Sequence, residues 1–198
     1  MKRKFKTLSC LIISASAIIL FTVASTSAAD AYEQSGNTAQ GYVIFTENNI
    51  KTEDMRKKSE LDKEELSEYL EKFPNLSGIE DALISAQDDY SVNAILILAI
   101  VRLESGNGGS RLAKSKNNLG GLVSSGRTVT VYKTFDTKSD CVTYMAQLLS
   151  ENYLTEGGKY YNGYTLNDIA KSYSTSSKTW SDLVTSLIYE IQTEISTL

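Results

Sequence analysis

In the stretch ILILAIVRLESGNGGSRLAKSKNNLGGL, residues 95–122, an apolar run meets one acid, Glu104, and then Ser105, Gly106, Asn107, Gly108 and Gly109. A carboxylate at the end of an apolar segment loses hydration that favours its charged form. If that segment is a helix, Glu104 stands in its last turn, where the negative end of the dipole disfavours another negative charge. Both effects raise a carboxyl pKa, and a carboxyl that stays protonated is what a general acid needs to donate to a leaving oxygen. The plainer reading is a side chain that points to solvent or pairs with Arg102. Residues two apart on a helix face nearly opposite sides, which makes that pairing awkward. Local chemistry alone leaves the two readings level.

Further residues fit the same kind of site. Gly106, Gly108 and Gly109 let a backbone turn sharply and approach a ligand closely. Asn117 and Asn118, just before Gly120-Gly121, bring amide donors and acceptors that suit sugar hydroxyls, although both are equally good turn formers. Tyr153, Tyr160, Tyr161, Tyr164, Tyr173 and Trp180 crowd the C-terminal third. Such rings make stacking platforms for sugar faces, with Tyr160, Tyr161 and Trp180 the candidates to line a groove.

What the chain lacks narrows the chemistry. It has no histidine among its 198 residues, so a Ser-His-Asp triad, a Cys-His pair and a histidine zinc site are excluded. Carboxylates, tyrosine and lysine remain, which favours acid-catalysed bond cleavage such as glycoside hydrolysis. No metal or cofactor is implied.

The beginning reads as an export signal: Lys2, Arg3, Lys4 and Lys6 precede an apolar stretch from Leu8 to Val23, and Ser27-Ala28-Ala29 offers a cleavage site. An uncleaved anchor is the competing reading; the short apolar core, broken by Ser14 and Ser16, argues for cleavage. Removal of residues 1–29, which hold those four bases and no acid, takes the net charge from −4 to −8. A chain so acidic would repel phosphates, so no nucleic-acid partner is expected, and no membrane association is expected after cleavage. Cys141 is then the only cysteine, and with no disulfide available stability must come from the core.

The elements that must position Glu104 follow from periodicity. Residues 30–52 read as a flexible spacer, and 53–198 as the catalytic domain, opened by a charged helix over 52–73 that ends before Pro74. A short amphipathic helix spans Ile79 to Tyr90. Ser91 is then placed to cap the buried helix Val92–Ser105. Residues 120–135 alternate around a Ser124-Ser125-Gly126 turn signal and predict a small β-hairpin. Helical spacing returns over Ser139–Tyr153, Leu166–Ser172 and Trp180–Ile195. The fold class is α+β, mostly α, with the hairpin after the central buried helix.

The segment NAILILAIVRLESGNGGSRLAKSKNNLGGL resembles the glucosaminidase domain of bacterial cell-wall hydrolases, the family 73 glycoside hydrolases. LDKEELSEYLEKFPNLSGIEDALISAQDDYSVNA before it and DCVTYMAQLLSENYLTEGGKYYNGYTLNDIAKSY with Trp180 after it extend the resemblance over about residues 60–195. The resemblance implies a lysozyme-like α+β fold and cleavage of the β-1,4 bond on the reducing side of N-acetylglucosamine in peptidoglycan glycan strands; with the export signal, the expected location is secreted, extracellular or cell-wall associated. It places the catalytic acid on Glu104 and a second catalytic-site residue, a tyrosine beside the sugar, on Tyr173.

One feature departs from the family pattern. Several members carry a second acid in the hairpin region, whereas residues 119–135 here hold no Asp or Glu; Asp136 and Asp140 are the nearest, and Asp136 suits a turn or helix cap. Without a second carboxylate, two routes stay open: attack by the substrate's own N-acetyl group, or intramolecular attack to an anhydro sugar. The alternatives to a glucosaminidase are therefore a lytic transglycosylase or muramidase on the same fold, and, in a different class, a non-catalytic module that binds cell-wall glycan.

Overall fold

The structure, a computed structural model, describes residues 42–124 and 130–198. The export segment 1–29, the first part of the spacer and the turn residues Ser125 and Gly126 lie outside them. Among the described residues seven α-helices follow in order: α1 (Lys63–Glu71), α2 (Glu80–Tyr90), α3 (Ala94–Ser105), α4 (Arg111–Lys116), α5 (Lys138–Tyr153), α6 (Leu166–Tyr173) and α7 (Ser177–Ile195), with a 3-10 turn at Pro74–Leu76 between the first two. None is long and apolar enough to cross a membrane.

Helix α3 is the centre of the core. Every residue from Ala94 to Val101 is buried, as a helix without a polar stripe requires. Helix α7 packs against α3, α6 against α7, and α5 against α2. The start of α3 is fixed by a buried polar network. Asn93 Oδ1 accepts from the Leu96 N–H at 3.1 Å, while its amide nitrogen donates to the Lys57 carbonyl and the Ser59 hydroxyl, both at 2.8 Å. Gln87 joins in, its Oε1 accepting from the Ser59 N–H at 2.7 Å and the Ala94 N–H at 3.2 Å. With these buried groups satisfied, the network holds the entry to α3 in one register.

The structure corrects three expectations. Ser91 does not cap α3: it ends α2 in the left-handed region (φ 52°), and Asn93 is the cap. The spacer reading fails from Tyr42 onward, because Val43, Phe45 and Ile50 are buried in the core and the Val43 N–H donates to the Lys58 carbonyl at 2.7 Å. The charged helix over 52–73 is only α1, capped by Asp62. Upstream of it, Asp54 turns the chain by accepting from the Arg56 N–H at 3.0 Å. Such a side chain competes with helical bonding, and Met55 enters the core fully buried.

The hairpin is not established. Val123 and Tyr132 form one antiparallel bridge, flanked by hydrogen bonds from the Ser124 N–H to the Val131 carbonyl and from the Lys133 N–H to the Leu122 carbonyl, at 2.7 and 2.9 Å. This pairing is too short for a named strand. Helix α4 is a six-residue helix capped by Ser110. The fold is thus mostly helical with little strand.

Candidate active site

Glu104 lies in the last turn of α3, which stops at Gly106 (φ 57°), a left-handed cap that glycine adopts without a Cβ clash. The Ser105 hydroxyl fastens the glycine loop beneath the helix end. It donates to the Val101 carbonyl at 2.5 Å and accepts from the Gly108 N–H at 2.7 Å. Gly108 (φ 74°) passes so near the 3-10 turn that a Cβ there would sit 2.7 Å from the Asn75 carbonyl oxygen. The helix end carrying Glu104 is therefore clamped from the turn before α2.

The Glu104 carboxyl is partly buried and accepts a hydrogen bond from the Trp180 indole, Nε1 to Oε1, at 3.2 Å. Burial pushes its pKa above the ordinary carboxylate value, and the Trp180 N–H, which favours the charged form, opposes part of that rise. Arg102 is not its partner. That guanidinium, buried on another side of α3, donates to Glu190 Oε1 and Asn107 Oδ1 at 2.9 Å and to the Tyr69 hydroxyl at 2.5 Å.

Aromatic rings run away from Glu104 in a continuous row. Trp180 stacks on Tyr173 with centroids 4.5 Å apart, Tyr173 meets Tyr153 at 5.6 Å, and Tyr153 meets Tyr160 at 5.0 Å. Three of the predicted residues, Tyr160, Tyr173 and Trp180, thus belong to one row of rings that starts at Glu104. Trp180 and Tyr173 are each only 6% exposed, so neither ring is an open platform for a sugar face; Tyr160 is partly exposed. Tyr153, the link between Tyr160 and Tyr173, stood among the crowded aromatics of the sequence, but nothing in the spacing marked it as a link.

Other expected residues are elsewhere. Tyr161 packs edge-on to Tyr164 at 5.4 Å, in a separate cluster where the Arg56 guanidinium covers the Tyr164 ring at 3.3 Å and the Tyr164 hydroxyl donates to Glu156 at 2.9 Å. That cluster borders a cleft of about 600 Å³ between Arg56, Asp89, Tyr90 and Leu154, and Glu104 is not in its lining. Asn118 is 1% exposed. Its amide nitrogen donates to the Leu122 and Lys133 carbonyls at 2.8 and 3.0 Å, and its Oδ1 accepts from the Leu122 N–H at 2.9 Å. It shapes the loop after α4 and has no face for a sugar. Asn117, the left-handed cap of α4 (φ 50°), spends its amide nitrogen on the Phe135 and Asp136 carbonyls at 3.1 and 2.8 Å.

The two acids that follow the expected hairpin, Asp136 and Asp140, both lie at the entry to α5. Asp136 is exposed at the entry to α5, and Asp140 closes a capping box with Thr137, accepting from its N–H at 2.9 Å and its hydroxyl at 2.8 Å. The cap is thus Thr137 and not Asp136. Among the described residues no three Cys, Asp or Glu side chains gather to hold a metal ion.

Known proteins resemble this chain in sequence and in fold. A family model described as Glucosaminidase, mannosyl-glycoprotein endo-beta-N-acetylglucosaminidase, matches residues 80–193. Two Streptococcus pneumoniae proteins, from different strains and each named as a candidate endo-beta-N-acetylglucosaminidase, are 28% identical over 138 residues. The match takes in 65% of this chain but 21% and 19% of theirs, so the chain spans about a fifth of the length of these relatives. The crystal structure of Staphylococcus aureus autolysin E superposes with a TM-score of 0.60, covering 77% of this chain and 75% of that one at 17% identity. A likeness at that identity is one of fold.

Proposed function

The chain belongs to the glucosaminidase family, and from that premise we propose that it is an exported peptidoglycan hydrolase cleaving β-1,4 glycosidic bonds of the glycan strand, an endo-β-N-acetylglucosaminidase with Glu104 as general acid. The observation that carries the reading is the state of Glu104: a carboxyl at the end of the core helix, raised in pKa by burial and bonded to a neutral indole. Such a group stays protonated at higher pH than a surface acid and can donate to a glycosidic oxygen. The names of the pneumococcal relatives support the bond type, and the likeness to autolysin E supports the fold. Tyr173 takes its place in the site through its stack on Trp180, and Tyr160 is the ring with surface left for a sugar.

A second reading, a lytic transglycosylase, is favoured by one observation. Residues 119–135 hold no acid, and Asp140 is committed to its helix cap. A two-carboxylate hydrolysis therefore has no evident second member from that region. Digesting purified peptidoglycan, reducing the products with borohydride and reading chain ends by mass spectrometry separates the outcomes. Reduced N-acetylglucosamine ends are expected. Reduced N-acetylmuramic ends would indicate a muramidase, and anhydro ends a transglycosylase. Binding with no new ends would make the chain a glycan-binding module.

A further inference from the structure

Trp180 was expected to offer its ring to a sugar, but it is nearly buried, one face is against Tyr173, and its single polar atom points at Glu104. An indole N–H can only donate. The oxygen it meets, Oε1, must therefore accept, and in a protonated carboxyl the better acceptor is the carbonyl oxygen. We propose that Trp180 is a positioning residue that sorts the proton of Glu104: by holding Oε1 as the carbonyl oxygen it leaves the acidic proton on Oε2, free to face the glycosidic oxygen. This rests on the reading of Glu104 as the acid.

The bond also strengthens as the reaction proceeds. The Oε2 proton moves to the glycosidic oxygen, and the electron pair of the breaking C–O bond goes to that oxygen, which leaves as an alcohol. The anomeric carbon takes the oxygen of a water, whose proton restores Glu104. Between those events Glu104 carries a developing negative charge, and a hydrogen bond to a carboxylate is stronger than one to a neutral acid. An interaction that gains strength in the transition state raises kcat rather than lowering KM. The geometry is fixed in advance, since the Tyr173 stack holds the indole ring and α7 is packed on α3.

Trp180 is the single tryptophan of the chain, so biosynthetic replacement of tryptophan alters this residue alone. Benzothienylalanine keeps the bicyclic ring and replaces N–H by sulfur; 5-fluorotryptophan keeps the N–H. With soluble uncross-linked glycan strands, the benzothienyl protein should lose roughly 10–100-fold in kcat, as loss of one hydrogen bond to a charged group implies. Its KM should hold within about twofold, and its thermal midpoint should be kept. The alkaline limb of its pH profile should move to higher pH, because the lost donor no longer favours the carboxylate. The fluorotryptophan protein should retain kcat within about threefold. Wild-type kcat and pH profile in the benzothienyl protein, with Glu104→Gln inactive, would overturn the role of Trp180 alone. Full activity in Glu104→Gln would overturn both readings together.

Discussion

Arg102 and Glu104 stand two residues apart on α3 and both reach α7, Arg102 meeting Glu190 at 2.9 Å and Glu104 meeting Trp180 at 3.2 Å. The two contacts differ in kind. One is a charged clasp with a buried cation; the other ties a carboxyl to a neutral donor. A guanidinium beside Glu104 would pull its pKa down, against the rise that burial gives it.

The clasp is a stability element, and its two halves should not cost the same when removed. The Arg102 side chain is 6% exposed whereas that of Glu190 is 43% exposed. Arg102→Met takes away bonds to Tyr69, Asn107 and Glu190 and should cost about 2–3 kcal/mol, a fall of roughly 5–10 °C in Tm. Glu190→Gln keeps an acceptor for Arg102 and should cost under about 1 kcal/mol. Thermal melts of both variants test the order, and an equal or larger loss in Glu190→Gln would contradict it.

Glu104 itself should weaken the fold at neutral pH. Its pKa in the folded chain lies above the ordinary value of 4.5, so the folded state disfavours its ionisation. Below that ordinary value both states are protonated and the residue costs nothing. As pH rises through the raised folded value, the penalty develops in full. Glu104→Gln should therefore match the wild-type Tm near pH 4 and exceed it near pH 8. A gap that stays flat or closes with rising pH would show that burial does not govern this carboxyl.

Asn118 should behave as a structural residue despite its family-like position after α4. Asn118→Ala removes three hydrogen bonds to the backbone of Leu122 and Lys133 and should cost about 2–4 kcal/mol. Measured well below its melting point, the variant should keep the wild-type KM. A raised KM without a change in Tm would restore the sugar-contact reading.

The parts of this architecture that were legible in the sequence are those set by continuous local pattern. Eight apolar residues from Ala94 to Val101 without a polar stripe could only be a buried helix, and Glu104 at its end announced itself by its discomfort. Residues whose chemistry fits two partners were read less well. Asn117 and Asn118 suit sugar hydroxyls and backbone carbonyls alike, and only folding decides that the carbonyls of Leu122, Lys133, Phe135 and Asp136 take them. Ser91 and Asn93 can both cap a helix, and the left-handed turn at Ser91 chose between them. Val43, Phe45 and Ile50 were too sparse among polar neighbours to declare a packed segment. Trp180 lies 76 residues from Glu104 in the chain, and no local signal carries such a pairing.

The central claim is that Glu104 is the proton donor, and the most direct test is the rate at which new glycan ends form from purified peptidoglycan with the wild-type chain and with Glu104→Gln, both verified as folded by circular dichroism. General-acid loss predicts a fall of roughly 10²–10⁴-fold with the fold intact. A Glu104→Gln chain that produces ends within about twofold of the wild-type rate would contradict the account.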